Sequence, residues 1–139
     1  MYRRIFTTDN GRSNGTGELN GKKVIHYNAE LKGGKGRPNE GGTRSPSFWF
    51  WKGTLGEGVD IAALTAHIDL FKTFADLAGY TGYETYQKLD GLSFLPLLEN
   101  PNADWPERTL FIHGGRWAKF SLTLDEAKYF NCAVRNDRW

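Results

Sequence analysis

The chain has 139 residues, one cysteine, and a formal net charge of +2 from 18 basic and 16 acidic side chains. That charge is too small to argue for nucleic acid or an anionic membrane surface as a partner. A lone Cys132 excludes an intrachain disulfide, and no apolar run approaches the roughly 18–20 residues of a membrane span.

The length suits one domain, in the range of about 100–200 residues. With 39% hydrophobic residues a core is possible but not large, and five Trp, six Tyr and nine Phe make the chain aromatic-rich. The opening Met1-Tyr2-Arg3-Arg4-Ile5 has no signal-peptide pattern, and the cellular location is left open.

In chain order, residues 3–8 read as a short buried strand that stops on Asp9-Asn10-Gly11. The carboxylate of Asp9 and the amide oxygen of Asn10 are ligand types that Ca²⁺ or Mg²⁺ accept. A plain Asp-Asn-Gly turn is the other reading of the same residues. Residues 11–23 are rich in Gly, Asn, Ser and Lys and read as a surface loop, in which Asn14-Gly15-Thr16 matches the glycosylation pattern. Residues 28–44 form a second loop, in which Gly33-Gly34-Lys35-Gly36 presents a lysine among glycines. Such a lysine is a point charge that approaches a tetrahedral anion closely, because the glycines remove side-chain bulk. For an isolated lysine a solvated loop position is the usual case. The phosphate-loop pattern fails, since Gly34-Lys35 is followed by Gly36 and Gly21-Lys22 by Lys23, neither being Ser or Thr. Glu40 and Arg44 are expected to brace this loop as an ion pair or hydrogen-bond network.

Ser47-Phe48-Trp49-Phe50-Trp51 is an aromatic strand signal; a base-stacking platform is its rival, and a buried strand fits better. Residues 54–62 read as a loop. A helix is expected over 69–79, with Asp69 as N-cap, a buried stripe of Leu70, Phe71, Phe74, Leu77 and Ala78, and Gly79 as the stop. His67, just before it, reads as a structural histidine. After a Tyr-rich connection over 80–88, residues 93–98 read as a short helix packing Phe94, Leu97 and Leu98, with Pro96 near its start. Thr109 to His113 reads as a strand running into Gly114-Gly115-Arg116, and residues 117–139 are expected to hold one strand, about Asn131–Arg135, with Cys132 buried in it.

The blocks Thr8-Asp9-Asn10-Gly11, Tyr27-Asn28-Ala29-Glu30-Leu31-Lys32-Gly33-Gly34-Lys35-Gly36 and Glu40-Gly41-Gly42-Thr43-Arg44, in this order and spacing, closely resemble sulfatases of the arylsulfatase type. The likeness continues through Leu64–Phe71, Leu89–Leu98 and Ala133–Trp139, so it covers nearly the whole chain, but only the later part of a sulfatase. Ser45, Lys52 and Lys72 depart from the family pattern.

The resemblance implies an α/β, alkaline-phosphatase-like fold, present in part: a mixed sheet with flanking helices. One partial domain is expected over 1–139, with site loops in 1–46 and the strand-helix remainder in 47–139. The resemblance marks Asp9 and Asn10 as metal ligands for Ca²⁺, with Mg²⁺ as the alternative, and Lys35 as the sulfate-contacting lysine. It implies a sulfate-ester substrate and a formylglycine nucleophile made from a Cys/Ser-x-Pro/Ala-x-Arg motif.

Cys132 does not supply that motif, because Val134 and Asn136 stand where Pro or Ala and then Arg are required. The nucleophile and the remaining ligands are expected in a missing amino-terminal half, which is then the natural partner, and the chain alone is expected to be inactive. A phosphodiesterase or phosphonate hydrolase of the same superfamily, and a non-catalytic module for sulfated glycans, are the alternatives.

Overall fold

The structure is a computed structural model that describes residues 3–13, 15–80, 82–85, 88–114 and 122–138. Asn14, which opens the glycosylation pattern, and the Gly115-Arg116 pair lie outside the described residues. The chain divides into two compact units: one holds the residues up to Arg4 with Phe50–Arg108, the other Ile5–Trp49 with the residues from Thr109 on.

Described strands form two-stranded sheets. β1 (Arg3–Thr7) pairs with β4 (Ser47–Trp51), β2 (Thr16–Leu19) with β3 (Lys22–Ile25), and β5 (Leu110–His113) with β6 (Cys132–Arg135). The strands expected at 3–8, 47–51, 109–113 and 131–135 are all present, but the burial expected of the first two is not. β1 is exposed along its whole length, and Phe48 and Phe50 are exposed in β4. A two-stranded ribbon has two faces to cover, and these strands stay largely exposed. Phe6 and Phe48 stack on each other at 6.2 Å, and the Arg3 guanidinium lies 4.0 Å from the centre of the Trp51 ring. Cys132 is also exposed rather than buried, its Sγ donating to the Tyr129 carbonyl at 3.2 Å.

The loop expected over 11–23 is corrected to a hairpin. β2 and β3 pair antiparallel, Leu19 opposite Lys22, around Asn20-Gly21, whose φ values are 51° and 72°. Two consecutive left-handed residues make the two-residue turn that matches strand twist. A second unexpected element is α4 (Leu124–Ala127). Its start is a capping box: Thr123 N–H donates to Glu126 Oε2 at 2.8 Å, and Glu126 N–H donates back to Thr123 Oγ1 at 3.4 Å.

In the first unit a 3₁₀ turn (His67–Asp69) leads into α2 (Leu70–Leu77). The helix stops as expected: Gly79 has φ 70°, its N–H donates to the Asp76 carbonyl at 2.9 Å, and Tyr80 N–H donates to Ala75 at 2.8 Å. That pair of bonds is a Schellman ending. The buried face differs from the expected stripe, since Phe71 and Phe74 are exposed and Thr73 is fully buried.

Asp69 does not cap α2 with its side chain. Its carboxylate instead accepts from Ala66 N–H at 2.7 Å, from Leu92 N–H at 2.8 Å, and from Arg108 Nη1 at 2.7 Å. Thr73 Oγ1 donates to the Asp69 carbonyl at 2.8 Å and accepts from Phe94 N–H at 3.1 Å, docking α3 (Leu95–Glu99) onto α2. Phe94 and Leu97 are the buried apolar residues beside this node, as expected for that helix. Trp105 Nε1 donates to the Leu64 carbonyl at 3.0 Å, tying the chain before and after the helices together.

Candidate functional site

The expected site residues all fall in the second unit, on two loops that the backbone joins. The first loop is the turn after β1. Thr8 Oγ1 donates to the Asn10 carbonyl at 3.0 Å, folding Asp9 and Asn10 around a tight bend. Asp9 is exposed and Asn10 half-buried. The second loop carries Lys35, which is exposed.

Two hydrogen bonds join these loops: Gly11 N–H donates to the Gly42 carbonyl at 2.9 Å, and Lys35 N–H donates to the Arg12 carbonyl at 2.8 Å. Close approach depends on the absence of side chains. A Cβ on Gly11 would collide with the Gly41 carbonyl, and one on Gly42 with the carbonyls of Arg37 and Gly34. The Gly-rich composition therefore has a packing purpose.

The Lys35 loop is also braced internally. Asn28 Nδ2 donates to the carbonyls of Leu31 and Gly33. Ala29 and Glu30 have φ of 47° and 59° in the turn closed by Leu31 N–H and the Asn28 carbonyl at 2.9 Å. Two non-glycine residues in the left-handed region cost of order 1 kcal/mol each or more, so the surrounding bonds impose this shape. Lys32 accepts from Gly41 N–H at 2.8 Å, and α1 (Glu40–Thr43) completes the loop, with Asn39 accepting from Gly42 N–H at 2.8 Å.

Glu40 and Arg44 do meet, at 3.8 Å and largely in solvent, while Glu40 makes a shorter pair with Arg135 at 2.7 Å. The first contact is worth little. The second was not readable from sequence, since it joins residues far apart in the chain.

Arg12 is a residue that sequence reasoning passed over. Its Nε is buried with no hydrogen-bond partner, beside the turn that carries Asp9 and Asn10. The signal available was its adjacency to Gly11; a basic residue there had no assigned role.

The donor types at Asp9 and Asn10 suit a hard cation. Among the described residues, however, no group of three or more His, Cys, Asp or Glu is gathered for a metal ion. Two side-chain oxygens are a fraction of the about six to eight that Ca²⁺ takes. The two residue types fit such an ion in kind, and fall short of it in number.

His113 Nε2 lies 3.1 Å from the Ala127 carbonyl, so it braces α4. His67 lies in the 3₁₀ turn of the first unit. Among the described residues, no helix is long and apolar enough to cross a membrane.

Comparison with known proteins gives a consistent picture. A family model described as Sulfatase matches residues 5–80. Human arylsulfatase D is 33% identical over 123 residues, covering 81% of this chain and 20% of that protein. Human steryl-sulfatase is 35% identical over 108 residues, covering 76% of this chain and 18% of that protein. Human arylsulfatase A is 35% identical over 109 residues, covering 78% of this chain and 20% of that protein. The chain thus spans about a fifth of the length of the curated relatives it matches.

Proposed function

The chain belongs to the sulfatase family, and from that membership we propose that it carries the metal-and-sulfate corner of a sulfuric ester hydrolase. In this reading Asp9 and Asn10 give two oxygens to a divalent cation, Ca²⁺ by preference, and Lys35 neutralises a sulfate oxygen. The observation that carries it is the pair of backbone bonds, Gly11 to Gly42 and Lys35 to Arg12, which hold the two loops together. Cation and anion sites must be neighbours if both act on one sulfate group.

The cation, when bound, supplies charge neutralisation at the sulfate oxygens. This chain's own contributions are the Lys35 ammonium, a flexible point charge, and the carboxylate and amide oxygens of the Asp9-Asn10 turn. The formylglycine nucleophile and further cation ligands belong to the remaining part of such an enzyme. Cys132 lacks the required neighbours in sequence and is occupied by the Tyr129 carbonyl. The chain by itself therefore binds sulfate weakly and does not turn over an ester.

The test is a sulfate titration of the labelled chain followed by amide NMR. Shifts are expected at Gly34, Lys35, Gly36 and Gly11, and their loss in Lys35→Ala with the rest of the spectrum unchanged. Equal shifts in wild type and Lys35→Ala would sink the assignment of Lys35. Turnover of an aryl sulfate by the pure chain would sink the claim that its catalytic set is incomplete.

A further inference from the structure

We propose that Asn131 and Arg135, on the β5–β6 hairpin, are positioning residues that fix the Lys35 loop. The sulfate part of this inference rests on the reading of Lys35 given above; the positioning part rests on geometry alone. Asn131 Nδ2 donates to the Gly36 carbonyl at 3.2 Å, across 95 positions of sequence. Arg135 Nη1 meets Glu40 Oε1 at 2.7 Å. These contacts lie at the two ends of the segment 36–40, immediately after Lys35.

The spacing between the two clamps is set by strand geometry. β6 runs from Cys132 to Arg135 and is paired along its length, with His113 opposite Cys132 and Leu110 opposite Arg135. Asn131 sits just before it at φ 51°, a conformation that Asn tolerates better than most residues. Its own carbonyl accepts from Gly114 N–H at 2.8 Å, and a Cβ on Gly114 would run into Asn131 Nδ2. The Asn131 side chain is therefore confined as well as bonded.

On the other side Lys35 is tied to Arg12. The Lys35 backbone is held between that tie and the Gly36 tie, so its long, flexible side chain starts from a fixed point. Lost backbone order would spread the ammonium over a larger volume and weaken its hold on an anion. Arg44 competes for Glu40 only at 3.8 Å and with more exposure, so Arg135 is the partner that fixes Glu40.

The experiment compares the whole chain with Asn131→Gly, Arg135→Gln and Arg135→Lys. Glycine keeps the left-handed backbone of Asn131 and removes its side chain, the Nδ2 donor included. Two readouts are taken: hydrogen exchange of the Lys35 amide, and the sodium sulfate titration followed at the same amide. Asn131→Gly and Arg135→Gln are expected to speed Lys35 exchange, each by about five-fold, the scale of one partly exposed polar contact. Exchange in the β2–β3 hairpin stays unchanged. The sulfate response weakens by a similar factor, and Arg135→Lys restores most of it.

Unchanged Lys35 exchange in both variants overturns the proposal, as does acceleration spread equally over β2–β3, which marks general destabilisation. If the wild type shows no sulfate response while the Lys35 amide still loses protection in the variants, the anion reading fails and the positioning role holds. A wild-type sulfate response that neither variant alters refutes the link between clamp and binding.

Discussion

The two units hold themselves together by different means. The unit containing α2 and α3 is organised by side chains: a fully buried Asp69, a buried Arg108, a fully buried Thr73, and Leu97 and Phe94 around them. The unit containing the candidate site is organised by backbone. Its buried residues include Gly34, Gly41 and Gly42, and its long-range ties include amide-to-carbonyl bonds between loops. A polar side-chain node is sensitive to truncation, because each group removed leaves a buried partner unsatisfied. A glycine-built loop cluster leaves side chains such as Asp9 and Lys35 exposed, and is sensitive to bulk added at its glycines.

The comparison is broken most directly at Asp69. Asp69→Ala should cost about 3–5 kcal/mol, because it strands the Arg108 guanidinium in a buried position and leaves two backbone N–H groups without acceptors. Urea denaturation measures this; a loss under about 1 kcal/mol would mean that the node is not what holds that unit. In the other unit Gly11→Ala should cost about 2–3 kcal/mol through collision with the Gly41 carbonyl. Amide exchange at Gly11 and Lys35 reports it, and retained protection there would show that the loops are joined more loosely than their hydrogen bonds imply.

Thr73→Val tests a finer point. The shape is kept, but Phe94 N–H loses its acceptor in a buried site, an effect of about 1–2 kcal/mol. No change in stability would reduce α3 docking to the apolar contacts of Leu97 and Phe94.

The smallest effect concerns α4. Glu126 is held below its ordinary value of 4.5, first by the Thr123 backbone N–H and then by the Thr123 hydroxyl. A lowered folded-state pKa means that the capping contribution is present above the ordinary value and is lost as pH falls through the folded one. Following the Thr123 amide by NMR in acid should show this fraying. Thr123→Ala should remove the hydroxyl's share of the depression and bring the Glu126 titration closer to its ordinary value.

Several of these features had sequence signals that differed in strength. Asn20-Gly21 between Glu18-Leu19 and Lys22-Lys23-Val24 is a hairpin signal, yet the polar composition around it reads as loop. Thr123-Leu124-Asp125-Glu126 is a capping-box spacing hidden in a stretch dominated by the strand that follows. Gly79 as a stop was legible because the constraint is local. Asp69 read as a helix cap because its partners, Leu92 and Arg108, are 23 and 39 positions away. The burial expected for Ile5, Phe6, Phe48 and Phe50 followed from apolar character alone, which reports what a residue favours rather than what lies against it.

By itself the sequence determined the family, the positions of β1, β4, β5 and β6 and of the helices α2 and α3, and the residue types of the candidate site. All of these rest on local pattern and on motif order. Only the tertiary structure decided that Gly11 meets Gly42, that Arg12 meets Lys35, and that a hairpin near the end of the chain grips the loop after Lys35. Contacts of that kind depend on where the backbone can approach without side-chain bulk, and composition does not record which glycine faces which carbonyl.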